Sequence, residues 1–341
     1  MVDGQRDNER FGKLRQMSWW TPPVGVGVGY GYTAVSMIEA IQRKGVYVWY
    51  DKNEPKCHVS FVQPQMYRGT NDQFRIGFTP WESTELPRSW PSIMRGMDEI
   101  WTPTQFCVDI FKENDVNDVI ELIPHGIDPE VWKINDRYVG NKFTFLHIGG
   151  PTERKGAQKV VDAFIDLYDG NKDVQLILKS NGPSEARWRK GARFMGNVRS
   201  HSQIKVIEES LSEDDLFALY AKANCLVYPT NGEGFGCIPF QGIATGLPTI
   251  CTDATGCADF AKMSMPLNST PSKGVGIHLG DWVNPDEEHL RHLMTDVVEN
   301  YNDHKNKAMQ SARIIHATQT WDHVADMIIA RVDPLLDEIA E

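Results

Sequence analysis

The chain has 341 residues, 41 % of them hydrophobic and 24 % charged, and a formal net charge of −11. That length exceeds what one hydrophobic core usually serves, so two domains are expected, and the acidic balance argues against broad attraction to nucleic acid or to an anionic membrane surface. No run of about 18 apolar residues is available to span a bilayer, and the polar start Met1 to Arg15 lacks the apolar core of a signal peptide, which together predict a cytoplasmic protein.

A local basic strip, Arg187, Arg189, Lys190, Arg193 and Arg199, is one candidate acceptor surface, although runs of this kind are more often solvated faces. The cysteines Cys57, Cys107, Cys225, Cys237, Cys251 and Cys257 form no CxxC pair. Neither a zinc knuckle nor a disulfide framework is indicated, and buried thiols are expected.

In chain order, short apolar runs alternate with amphipathic stretches, the pattern of βα units that feed parallel sheets. A glycine-rich run, Pro22-Pro23-Val24-Gly25-Val26-Gly27-Val28-Gly29-Tyr30-Gly31-Tyr32, precedes a helix predicted from about Thr33 to Arg43. Glycines leave no side chain between backbone and a phosphate or sugar, so Gly29 and Gly31 are candidate donor contacts. Strands are predicted at Gly45 to Tyr50, Ile76 to Phe78, Glu99 to Trp101 and Val119 to Ile123. Asp51, just past the first of these, invites a rival dinucleotide reading, which the imperfect GxGxxG spacing weakens.

A second start follows the polar linker Asn135 to Asn141. The run Lys142 to Gly149 reads as a strand that stops at Gly149-Gly150-Pro151, and Val160, Val161, Phe164, Leu167 and Tyr168 make one stripe of the next helix. A strand at Val174 to Leu178, a helix at about Asp214 to Lys222, a strand at Cys225 to Tyr228, a helix at about Cys237 to Thr245 and a strand at Pro248 to Cys251 come next. From Trp321 the spacing of Val324, Ala325, Ile328 and Val332 gives a helical face that needs a partner surface. The division expected is residues 1–138, joined by a C-terminal helix over 318–341, and residues 139–317.

Two segments carry chemistry. In Asn231-Gly232-Glu233-Gly234-Phe235-Gly236-Cys237-Ile238 a strand passes to a helix, so N–H groups near Cys237 and Ile238 can face an anion. Glu233 stands just before that turn, where a carboxylate can accept bonds from sugar hydroxyls, and Gln241 follows eight residues on along the same helical face. In Gly149-Gly150-Pro151-Thr152-Glu153-Arg154-Lys155-Gly156 a cation pair opens the next helix and can offset negative charge on a departing diphosphate.

This pattern resembles the retaining glycosyltransferases of family 4, whose motif is a Glu, seven residues and a second Glu, written around Glu-Gly-Phe-Gly with a Gly-Leu-Pro exit. Here it reads Glu233-Gly234-Phe235-Gly236 and ends at Gly246-Leu247-Pro248. The resemblance extends to Gly77 through Pro87, to Asp98 through Thr104, and to Pro124-His125-Gly126-Ile127-Asp128. It implies a GT-B fold of the α/β class, with two doubly wound Rossmann-like domains facing each other across a cleft.

It also implies transfer of a sugar from a nucleoside diphosphate, UDP- or GDP-linked, to an acceptor hydroxyl, with retention and with neither metal nor cofactor. Glu233 would then bind the sugar, Lys155 and Arg154 the diphosphate, the backbone from Gly234 through Ile238 the phosphate, and position 241 the ribose. Position 241 departs from the pattern by carrying Gln, which loses the strength of a charge-assisted bond, and Gly150 stands where the family has Arg. A phosphorylase or epimerase on the same fold, or a catalytically degenerate sugar-nucleotide binder, are the alternatives. Glu82 and His125 are further candidates for acceptor or sugar contact, each with a structural role open beside it.

The tryptophans Trp19, Trp20, Trp49, Trp81 and Trp90 suit either stacking on an acceptor or a core. Glycan, protein, small molecule and modified nucleobase all stay open as acceptor, and the oligomeric state is not legible.

Overall fold

The computed structural model describes residues 15–22, 29–180 and 198–338, and the chain divides into two compact units. The first unit comprises residues 1–81, 85–126 and 319–341, and the second comprises residues 82–84 and 127–318.

The first unit is built on strands β1 (Arg15–Trp20), β2 (Val46–Tyr50), β3 (Cys57–Phe61), β4 (Phe74–Phe78), β5 (Glu99–Thr102) and β6 (Ile120–Leu122). They pair in parallel in the order β2-β1-β3-β4-β5-β6. The helix α1 (Gly29–Arg43) connects β1 to β2 and buries Ala34, Met37, Ala40 and Ile41 against the sheet. It begins four residues before the predicted start, so Gly29 and Gly31 lie in its first turn rather than in a preceding loop. Tyr30 anchors that turn, its hydroxyl 2.8 Å from Thr79 Oγ1 and its ring 5.0 Å from that of Phe61. Residues 23–28, the rest of the glycine run, lie outside the described residues.

The apolar face predicted near the end of the chain belongs to this unit. Trp321, Val324, Ala325, Ile328 and Val332 are buried on the helix Trp321–Val332, in one cluster with Met17, Met37, Ile41 and Val59. The expected helix over 318–341 is shorter than predicted: Asp333-Pro334 ends it, and the chain returns as a strand, Asp337–Glu338, antiparallel to Arg15 and Gln16. Proline has no N–H to donate back into a helix, which accounts for the stop.

The second unit holds β7 (Phe143–Ile148), α2 (Ala157–Tyr168), β8 (Val174–Lys179), β9 (Ile204–Ile207), α3 (Glu213–Lys222), β10 (Cys225–Tyr228), α4 (Cys237–Ala244), β11 (Thr249–Thr252) and β12 (Met265–Leu267). All six strands are parallel, in the order β12-β11-β10-β7-β8-β9. The period of two divides each strand between two cores: Phe143 and Phe145 of β7 join one cluster with Val160 and Phe164, whereas Leu146 and Ile148 join another with Phe240 and Ile243. The chain leaves β7 toward β8 and β9, then returns to β10 on the other side of β7. The point where the winding reverses therefore lies between β7 and β10, at whose carboxyl ends ligands gather in sheets of this kind.

Residues 127–138, expected with the first unit, group with the second. Trp132 is buried with its ring 5.3 Å from that of Tyr220, and the buried Arg137 guanidinium donates to the carbonyls of Tyr220, Ala223, Thr245 and Gly246. A hairpin of β13 (Ser269–Lys273) and β14 (Asp281–Pro285) follows β12, and a helix over Glu287–Glu299 packs on the sheet through Leu290, Met294 and Val297. Among the described residues no helix is long and apolar enough to cross a membrane.

Candidate functional site

The two chemistry-bearing segments leave the carboxyl ends of β7 and β10, the strands on either side of the winding reversal. The turn after β7 closes on itself, with Lys155 N–H donating to the Thr152 carbonyl at 3.2 Å. Gly156 then caps α2 in the left-handed conformation, at φ 73°. This turn is tied to the segment after β10 because the Arg154 carbonyl accepts from Asn231 N–H at 2.7 Å and from Thr230 Oγ1 at 2.9 Å. Gly236 caps α4, also left-handed at φ 99°, and a Cβ there would stand 2.6 Å from Cys257 Sγ. The start of α4 thus directs the N-terminal end of a helix dipole, favourable to an anion, toward the same region.

At the centre lies the carboxylate of Glu233, 6 % exposed. Its Oε1 accepts from Lys155 Nζ at 2.6 Å and from Tyr228 OH at 2.9 Å, and Thr230 Oγ1 lies 3.2 Å away. Its Oε2 is 3.2 Å from Arg154 NH1. Lys155 Nζ also donates to Tyr228 OH at 2.9 Å, so lysine, tyrosine and glutamate close a triangle. Burial alone would raise the Glu233 pKa, but the adjacent charges of Lys155 and Arg154 outweigh it and hold the carboxyl down to about 2.

Residues 82–84 extend this centre. Arg154 NH2 lies 3.7 Å from Glu82 Oε1, and His278 Nδ1 lies 3.8 Å from Glu82 Oε2. Burial raises the Glu82 pKa, with Arg154 opposing it, and burial followed by the Arg154 charge lowers that of His278 to about 4. The segment is pinned to the β13–β14 hairpin, Thr84 N–H donating to the Asp281 carbonyl at 3.2 Å and Asp281 N–H to Thr84 Oγ1 at 2.7 Å.

Glu233, Lys155, Arg154 and Glu82 are thus brought together, and Gly234, Phe235, Gly236, Cys237 and Ile238 follow on one continuous turn. Phe235 is buried with its ring 5.1 Å from Phe240 and 5.5 Å from Phe260, so its side chain serves the core. Gln241 is buried on α4, where its Oε1 accepts from Tyr220 OH at 3.3 Å.

Gly29, Gly31 and His125 belong to the other unit. His125 is buried there beside Phe61, Phe78 and Trp321, and burial lowers its pKa to about 3. Asp51, the acid of the rival dinucleotide reading, pairs with Arg68, whose guanidinium carbon lies 3.4 Å over the Trp20 ring. Trp19, Trp20, Trp81 and Trp90 are buried, so four of the five tryptophans considered for acceptor stacking are core residues. Of the basic strip, Arg199 pairs with Glu208 at 2.5 Å, and Arg187, Arg189, Lys190 and Arg193 lie outside the described residues.

Tyr228, Thr230, Thr255 and His278 were not marked by the sequence. Tyr228 reads as an ordinary strand end, although its place one strand from Lys155 is a signal once the winding order is known. Thr255, at φ 53°, accepts from Glu233 N–H at 3.1 Å and fixes the backbone from behind. His278 sits in a hairpin connection whose strands show no apolar alternation.

The family model described as "Family 4 Glycosyltransferase in conflict systems" matches residues 108–328. A protein of Sulfolobus islandicus filamentous virus carrying the name glycosyltransferase 45 is 24 % identical over 160 residues, 46 % of this chain and 42 % of that protein. The chain therefore spans less than half the length of that curated relative. Among solved structures, sucrose-phosphate synthase of Thermosynechococcus elongatus superposes with a TM-score of 0.72 at 12 % identity, covering 94 % of this chain and 99 % of that one. Anabaena HepE in complex with UDP-glucose gives 0.69 at 11 % identity, covering 94 % and 100 %. Likeness over nearly the whole chain at this low identity shows a shared fold, the GT-B fold.

Proposed function

This chain belongs to the family 4 glycosyltransferases in conflict systems, and on that premise we propose that it moves a sugar from a nucleoside diphosphate to an acceptor hydroxyl. The donor is UDP- or GDP-linked, the anomeric configuration is retained, and protein cations rather than a metal ion meet the diphosphate. The observation that carries this reading is the Lys155–Glu233–Arg154 centre at the ends of β7 and β10, beside the start of α4. The UDP-glucose bound to HepE supports a UDP-linked donor.

In this reading Lys155, Arg154 and the first turn of α4 face the diphosphate and stabilise charge as the nucleotide departs. Glu233 accepts bonds from sugar hydroxyls, Gln241 faces the nucleoside, and Glu82 borders the sugar. In this reading the departing phosphate itself takes the acceptor proton. The sugar anomeric bond to phosphate oxygen then breaks as the bond to acceptor oxygen forms on the same face.

The test is a donor screen by thermal shift and nucleotide release, with UDP-, GDP-, ADP- and TDP-sugars in the presence of EDTA, on the wild type and on Lys155→Ala and Glu233→Ala. One donor class should stabilise the protein and release its nucleotide, with release lost in both variants. Failure of every sugar nucleotide to bind would refute the assignment, and binding with neither transfer nor hydrolysis would make the chain a sugar-nucleotide binder.

A further inference from the structure

We propose that Glu233 sets this site's preference for a sugar-bearing nucleotide over the bare nucleoside diphosphate, by competing with phosphate for the same two cations. This rests on the reading above, in which Lys155 and Arg154 face the diphosphate and Glu233 faces the sugar.

The geometry sets the two roles in opposition, because the carboxylate and the phosphates draw on the same two cations. Glu233 is 6 % exposed, so its charge is stabilised by protein donors far more than by water. Two of the groups around it are the cations Lys155, at 2.6 Å, and Arg154, at 3.2 Å. Each N–H that turns to a phosphate oxygen is withdrawn from the carboxylate, and the phosphate adds like charge beside it.

What then remains on Glu233 is limited. Tyr228 OH stays at 2.9 Å, but the single Thr230 hydroxyl proton is shared between Glu233 Oε1 at 3.2 Å and the Arg154 carbonyl at 2.9 Å. A buried carboxylate stripped of its cations and given one firm donor is costly.

A donor that carries its sugar supplies the missing bonds, since its hydroxyls donate to Glu233 as the cations turn to the phosphates. A bare nucleoside diphosphate supplies none. Glu233 therefore selects the intact donor on entry, and after transfer it recaptures Lys155 and Arg154 and displaces the nucleotide product. One carboxylate thus sets both specificity and release.

The experiment is calorimetric titration of wild type, Glu233→Gln and Glu233→Ala with UDP and UDP-glucose, or with GDP and GDP-mannose if the donor screen selects guanosine. Circular dichroism on each variant establishes that it is folded, and the two substitutions remove the charge with and without loss of volume. Removing the competitor should tighten bare nucleotide on the order of tenfold while weakening the sugar nucleotide, so that the ratio of the two affinities collapses. If the wild type binds the sugar nucleotide but both folded variants bind the bare nucleotide no tighter than it does, the competition is refuted and the functional reading stands. If the wild type binds neither ligand, the functional reading fails and this inference falls with it.

Discussion

Gly156 and Pro229 lie against each other where the turn after β7 meets the segment after β10. With the Gly156 backbone at φ 73°, a side chain at that position would run straight into the Pro229 carbonyl oxygen. Gly156→Ala combines left-handed strain of about 1–2 kcal/mol with a backbone clash that no rotamer relieves. The variant should lose at least about 2 kcal/mol in urea denaturation. It should also lose turnover, because the residue before it is Lys155. A variant with unchanged midpoint and slope would show that the turn can be rebuilt at no cost.

Tyr228→Phe keeps the ring and deletes the hydroxyl that donates to Glu233 Oε1 and accepts from Lys155. Hydrogen bonds to charged groups contribute about 1.5–3 kcal/mol, so kcat/KM should fall by about tenfold or more while the thermal midpoint moves little. Steady-state transfer with the donor found in the screen checks this. An undiminished kcat/KM would remove Tyr228 from the site.

Glu233 also sets an acid limit. Its folded pKa of about 2 lies below the ordinary 4.5, so the stability it contributes is present above about pH 4.5 and is lost as pH falls toward 2. The full difference is about 3 kcal/mol. The stability gap between wild type and Glu233→Gln, measured by denaturant titration, should therefore narrow from pH 6 to pH 3. A gap independent of pH would contradict the low value.

His125 acts in a higher window. Burial depresses its pKa from 6.5 to about 3, so the unfolded chain binds this proton first and stability falls as pH drops below about 6.5. The slope from this group is about 1.4 kcal/mol per pH unit. Replacement by Phe, which suits the surrounding Phe61, Phe78 and Trp321 rings, should flatten the acid dependence between pH 6 and pH 4.

Truncation after Thr318 removes Trp321, Val324, Ala325, Ile328 and Val332 from the first unit's core. At about 1.5–3 kcal/mol for each large buried side chain, the loss rivals the whole stability of a typical domain. The truncated chain should show a collapsed unfolding transition for the first unit by calorimetry and bind a hydrophobic dye. Retention of two native transitions would show that the helix is dispensable.

Much of the second unit was legible because its central strands are buried on both faces. Phe143 to Ile148 and Cys225 to Tyr228 are short apolar runs ended by Gly or Pro, and the helices between them carry a clear stripe. Two of the elements not found lack that signature. Ser269–Lys273 is polar with a central proline, and Asp337–Glu338 has two charged residues and no period to read. The join between units is illegible for another reason: Asn135 to Asn141 reads as a polar linker, and only the fold reveals that Arg137 within it serves four carbonyls of the second unit.

At the site, strand-to-helix position and the family resemblance marked Glu233 and the Arg154-Lys155 pair. Their mutual pairing was hidden, because it depends on β7 and β10 being neighbours although about 80 residues separate them. Glu82 was marked as a strand-end acid, but nothing in its local sequence tells that it meets Arg154. Tyr228 and His278 contribute through tertiary neighbours only, which no local pattern records.

The last helix has a consequence for the order of synthesis. Arg331 pairs with Glu99 at 2.7 Å and with Glu121 at 3.1 Å, so residues made early are completed by one made more than 200 positions later. While the ribosome translates the second unit, the cleft that will receive Trp321 and Ile328 has no occupant, and the nascent first unit displays apolar surface throughout that interval. The second unit, apart from residues 82–84, is a continuous segment that leaves the ribosome before the first is finished. The core of the first unit is therefore completed by residues translated after those of the second.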